Sequence, residues 1–173
     1  MIINCYNYSY QLEHEGGVLV MYKIEDVANY YLAKEAMTPK KLQKVLYYAY
    51  SWFLTIENDS VDLLENRLFE NNFEAWVHGP VVTTMYQKYK EYGFWDIPKY
   101  TGELVNFADS VISILDEVWE VYGGYNGHDL ESITHREDPW KKARVGCDVF
   151  ERSSHVISDT DIYKYYTAQM LVD

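Results

Sequence analysis

Histidine, cysteine and carboxylate side chains are the groups through which a protein most often ligates metal or attacks a carbonyl, and here they are scattered. His128 and His135 lie seven apart, but neither forms H-E-x-x-H or a comparable zinc pattern with nearby carboxylates, so a metal site would have to be assembled over long range. Cys147 with His78 or His135 could make a nucleophile and base, the working pair of a small hydrolase, yet no local signature marks this thiol as activated. A small buried cysteine is the commoner role. The phosphate-cradling and nucleophile-elbow patterns G-x-x-x-x-G-K-[ST], G-x-G-x-x-G and G-x-S-x-G are absent. What remains is Phe73 to His78, FEAWVH, which as an extended segment places Phe73, Ala75 and Val77 on one face and Glu74, Trp76 and His78 on the other. An acid, an indole and an imidazole side by side make a recognition surface, or Trp76 covers the core while His78 bonds a turn carbonyl.

These residues need elements to hold them. Gly79-Pro80 reads as a turn running into a helix from about Pro80, because proline suits a first helical position and the residue before it is pushed out of the helical region. Val82, Met85, Tyr86, Tyr89 and Tyr92 then recur at helical spacing. Earlier, Ile24, Val27, Ala28, Tyr31 and Leu32 stripe a first helix that should end before Thr38. Thr38-Pro39 starts a second, running to about Glu57, with a cap followed by a first-turn proline. Leu42, Val45, Leu46, Ala49, Trp52, Phe53 and Ile56 form its main stripe, and Tyr47, Tyr50 and Leu54 make the opposite side half apolar, so this helix is central. Lys40 and Lys41 sit in its first turn, where the helix dipole disfavours cations, and they call for a carboxylate elsewhere in the chain or an acidic partner. Thr38 to Leu42 could also join a helix-turn-helix, an autoregulator of its own operon, but the exposed side would carry Tyr rather than the Arg, Asn and Gln that read bases.

Asn58 to Asn72 reads as a loop with a short turn of helix or strand, and Gly93 to Gly102 as an exposed connection. A further helix spans about Asp109 to Tyr122 and stops at Gly123-Gly124. Asn126-Gly127 and Asp138-Pro139 open two short helices, and Ser158 with Asp161 resembles a capping box before a last one. The fold class is therefore mainly α: a single compact helical domain of about six helices with a short β element near residues 68–78.

At 173 residues, with 48% hydrophobic residues, the chain is one ordinary domain with a real core. No apolar run approaches the roughly 18 residues of a membrane span, and Met1 to Val20 holds no Lys or Arg, so no signal peptide or membrane association is expected and the chain reads as cytoplasmic. Cys5 and Cys147 fit reduced thiols. A net charge of −12 without any basic block makes nucleic acid an unfavourable partner. Eighteen tyrosines suit either a protein interface or the rim of a small core. Residues 1–20 have no helical period, and Glu15-Gly16-Gly17 is encodable as a ribosome-binding purine run ahead of Met21. Met21 is thus the expected native start, with 1–20 a translated leader or disordered extension and 21–173 the domain; without Glu13 and Glu15 the charge is −10.

Three blocks in order resemble the Panacea domain family, with its SocA-like and GepA-like members, many encoded by prophages. They are Lys41 to Ala49, KLQKVLYYA; Ala75 to Val82, AWVHGPVV, with Tyr86, Lys88 and Tyr89; and Leu130, Thr134-His135 and Pro139-Trp140-Lys141-Lys142. The resemblance implies an antitoxin that neutralises a protein toxin encoded beside it. SocA-like members act as adaptors presenting a toxin to the ClpXP protease. No catalysis is attributed to the domain, and no cofactor or metal is implied. The matching positions are expected in two roles: Trp76, His78, Lys41, His135 and Trp140 at the partner surface, and Gly79, Pro80 and Pro139 as structural turns.

Overall fold

The computed structural model describes residues 21–170, so the leader expected at 1–20 lies outside the described residues. Seven helices surround one another: α1 Ile24–Lys34, α2 Pro39–Ile56, α3 Thr83–Tyr89, α4 Asp109–Tyr122, α5 Gly127–Thr134, α6 Asp138–Ala143 and α7 Asp159–Met170. A hairpin of β1 Glu74–Trp76 and β2 Gly79–Val81 lies between α2 and α3 in the chain.

The axis of the molecule is α2. Thr38 caps it, its Oγ1 accepting from Lys41 N at 3.2 Å, and Pro39 occupies the first turn. Every residue from Lys41 to Thr55 is buried, because α1, α4, α5, α7 and the hairpin all pack against this helix. Each large apolar side chain buried here contributes about 2 kcal/mol. The tyrosines belong mostly to this core. Tyr31, Tyr47, Tyr48, Tyr50 and Tyr166 are among the largest fully buried side chains. Tyr48 stacks on Tyr122 of α4 with centroids 3.7 Å apart, and Trp52 meets Tyr166 of α7 edge to face at 5.0 Å. The tyrosine-bearing exposed side expected of α2 does not exist: Tyr47, Tyr48 and Tyr50 are all inside. A helix buried from Lys41 onward has no free face for a major groove.

The helix expected from Pro80 begins instead at Thr83, since Gly79 to Val81 pair with β1. The register is Glu74 with Val81, Ala75 with Pro80 and Trp76 with Gly79, antiparallel. Pro80 fits because it faces Ala75, whose N–H bonds away from β2, to His155 O at 2.8 Å. A missing donor costs nothing there. Segment 155–157 thereby flanks β1 on its other side, with Ile157 N donating to Phe73 O at 2.8 Å. The β element thus starts at Glu74, later than the 68–78 range suggests; Leu68 and Phe69 are irregular and buried. In the 93–102 connection Phe94 and Trp95 are exposed, but Ile97 is buried and pairs with Met37.

Candidate functional site

The hairpin turns at Val77-His78, and neither residue has a positive φ; Gly79 supplies it, at +94°. A turn followed by a glycine in the left-handed region closes a hairpin with the right twist. Gly79 is also pressed against α2 and α5: a β-carbon there would stand 2.6 Å from Lys44 Cε and 2.9 Å from Thr134 Oγ1.

Two neighbouring side chains of α2 moor β2. Gln43 grips the Val82 backbone twice, Nε2 donating to its O at 3.1 Å and Oε1 accepting from its N at 2.9 Å. Lys44, 1% exposed, donates from Nζ to Pro80 O at 3.0 Å. Burial pushes its ammonium down to about 7, against the attraction of nearby Glu131. Glu131 of α5 bridges helix and turn: Oε2 accepts from Lys40 Nζ at 2.6 Å and Oε1 from His78 Nδ1 at 2.8 Å. Burial alone would raise this carboxyl, but the Lys40 and His78 hydrogen bonds and charges outweigh it and hold it at about 2. The stability it contributes is full above its ordinary value of 4.5 and is lost as pH falls toward 2. Glu131→Gln is accordingly expected to cost about 2 kcal/mol at pH 7 and roughly half as much at pH 3, measured by urea unfolding at the two pH values.

The far side of the hairpin is held by α6 and the loop after it. Trp140 donates its indole N–H to Trp76 O at 3.0 Å. His135 stacks on the Trp140 ring with centroids 4.0 Å apart, and the Arg144 guanidinium lies 5.3 Å from the ring centroid. Arg144 is 7% exposed and donates from Nη1 to Ala75 O at 2.9 Å and from Nη2 to Glu151 O at 2.8 Å. Burial pushes the His135 imidazole below its ordinary value, which suits a neutral ring lying on an indole.

The structure thus gathers the expected residues into one assembly but turns them different ways. Lys41, expected at a partner surface, is buried; its ammonium donates to Gly123 O, at the end of α4, at 2.7 Å and pairs with Glu35 at 3.2 Å. Trp140 and His135 are partly buried behind the hairpin, and Pro139 is buried at the start of α6. The His78 side chain is 69% exposed. Trp76 is half-buried, its indole N–H donating to Glu74 Oε2 at 2.7 Å and its ring edge-on to Tyr86 at 4.9 Å. Trp76, His78, Tyr86 and Phe150, the last 87% exposed, border an open cleft of about 760 Å³.

Cys147 Sγ makes its hydrogen-bonding contact with neither His78 nor His135. Its neighbour is His155, whose Nδ1 is 3.8 Å from the sulfur and 3.0 Å from Ala143 O. Donating to that carbonyl leaves this nitrogen no lone pair with which to take a thiol proton. Among the described residues no group of three His, Cys, Asp or Glu is placed to hold a metal ion, and no helix is long and apolar enough to cross a membrane.

Lys44, Glu131 and Arg144 carry the assembly, and none of the three is among the expected site residues. The one local hint was Lys44, a cation inside an otherwise greasy helix. Together fold and site define a mainly helical domain carrying a pinned aromatic hairpin. The chain belongs to the antitoxin SocA-like, Panacea domain family, whose model matches residues 42–141 and so encloses the hairpin with Lys44, Glu131 and Trp140. No curated protein and no solved structure matches it.

Proposed function

We propose that this domain neutralises a protein toxin encoded beside it by binding that toxin through the outer face of the hairpin. The observation that supports this reading is the open cleft bordered by Trp76, His78, Tyr86 and Phe150, on a turn whose backbone is tied down from both sides. Aromatic anchors on a rigid support lose little freedom on binding, which is what makes such residues dominate interfaces. The family membership supplies the class of partner.

The test is growth of a host expressing the adjacent reading frame, with and without residues 21–173. Co-expression is expected to restore growth that the neighbour alone arrests. Rescue that persists in a host lacking ClpXP assigns sequestration, and rescue that disappears there assigns delivery to the protease. A toxic neighbour that this chain fails to neutralise overturns the reading.

A further inference from the structure

A second cavity, of about 500 Å³, opens between α5 and α7 and shares no residue with the hairpin cleft. Its walls are aromatic: Trp52 of α2, Tyr122 of α4, and Tyr165 and Tyr166 of α7. Glu137, 6% exposed, lines it. One carboxylate oxygen accepts from Tyr48 Oη at 3.2 Å and the other from Tyr166 Oη at 2.9 Å. Two phenols aim and hydrogen-bond this group, but they do not neutralise it. Among the described residues no Lys, Arg or His nitrogen pairs with Glu137, although Arg136 is its chain neighbour and lies at the rim. A buried carboxylate held by two phenols, with no cation of the described residues in direct contact, is expensive in such a place until a closer counter-charge arrives.

We propose that this cavity binds an organic cation, a primary ammonium or guanidinium group, which pairs with Glu137 while its carbon stem lies against the tyrosine rings. Ring faces attract cations, and the attraction is largest where water is excluded. The volume falls within the range of small-ligand sites. Asp129 at the rim offsets Arg136, so the entrance does not repel positive charge. A hard metal ion would want six or more oxygen ligands, and one buried carboxylate does not supply them.

The site also has a built-in pH response. Burial pushes the Glu137 carboxyl up to about 7, against the hydrogen bonds from Tyr166 and Tyr48 and the charge of Arg136. Among the described residues the groups facing it are Tyr47 and Tyr48 from α2, Tyr122 from α4, Tyr165 and Tyr166 from α7, with Asp129 and Arg136 at the rim. All the tyrosines are held above their ordinary value, so Glu137 is the group that changes charge near neutrality. Affinity for a cation therefore falls about tenfold from pH 8 to pH 6.

The site rests on no part of the toxin reading and is tested without a toxin, by calorimetric titration of the whole chain with agmatine. One saturable site at pH 8 is expected, about tenfold weaker at pH 6. Glu137→Gln should weaken it by at least tenfold, and Tyr165→Leu, at the partly exposed edge, severalfold with the fold intact. No saturable binding at millimolar agmatine and pH 8 overturns the proposal, as does binding undiminished in both variants. Adding agmatine to the toxin complex then separates the sources of the cation: displacement assigns the cavity to a Lys or Arg side chain of the toxin, coexistence to a free amine.

Discussion

Gly79→Ala is expected to lower the unfolding free energy by about 3 kcal/mol, more than a glycine substitution elsewhere in the described chain at similar φ. Two effects combine. A left-handed backbone costs an L-residue roughly 1–2 kcal/mol, and φ here is +94°. In addition the new methyl would stand 2.6 Å from Lys44 Cε. A lysine tip would normally swing away, but this one is buried and its ammonium is spent on Pro80 O, so moving it sacrifices a hydrogen bond worth roughly 1.5–3 kcal/mol. Gly146 separates the two effects: its φ is +88° and nothing lies within 4 Å of a β-carbon there. Gly146→Ala should cost only the backbone share, about 1 kcal/mol. Urea unfolding of both variants checks this, and equal losses would remove the packing argument.

Trp76→Ala together with His78→Ala is expected to abolish toxin neutralisation while leaving the helical circular dichroism unchanged. The hairpin keeps its anchorage in this variant, because Trp140 and Arg144 bond the backbone oxygens of Trp76 and Ala75 and Lys44 bonds Pro80 O. Glu131 loses His78 but retains Lys40, and a pair whose histidine is largely exposed is worth only about 1 kcal/mol. The loss falls on the outer face. A central Trp in a protein interface costs about 2–4 kcal/mol when truncated, and with the neighbouring imidazole gone a toxin complex should weaken by about a thousandfold. Pull-down and growth assays read the effect. Collapse of the helical signal would instead make this pair part of the scaffold.

The elements that punctuate the chain locally were legible. Thr38-Pro39 marks the start of α2 and Thr38 does cap it; Asn126 caps α5, accepting from His128 N and Asp129 N; the period-two face change from Phe73 to His78 survives as buried Phe73 and Ala75 against half-open Trp76 and exposed His78. Two lysines in a first turn asked for counter-charge, and Lys40 found it in Glu131. What failed was whatever depended on distant partners. Pro80 obeys a sound local rule for starting helices, yet here a strand partner and Lys44 outbid it. Glu131 attracts no notice in GHDLESITH because its two partners are 53 and 91 residues away. Lys41 looked free for a partner because no sequence window reveals that the end of α4 lies over its ammonium.

The same long-range ties set a clock on synthesis. The bonds that seat the hairpin join residues 53, 64 and 69 positions apart, and the flanking segment at 155–157 is made later still. At roughly 5–20 residues per second, β1 waits several seconds on the ribosome before its supports exist. A nascent or prematurely terminated chain that ends ahead of Arg144 therefore displays Trp76 without the frame that orients it. If the hairpin is the toxin-binding face proposed above, neutralisation begins only with nearly finished molecules.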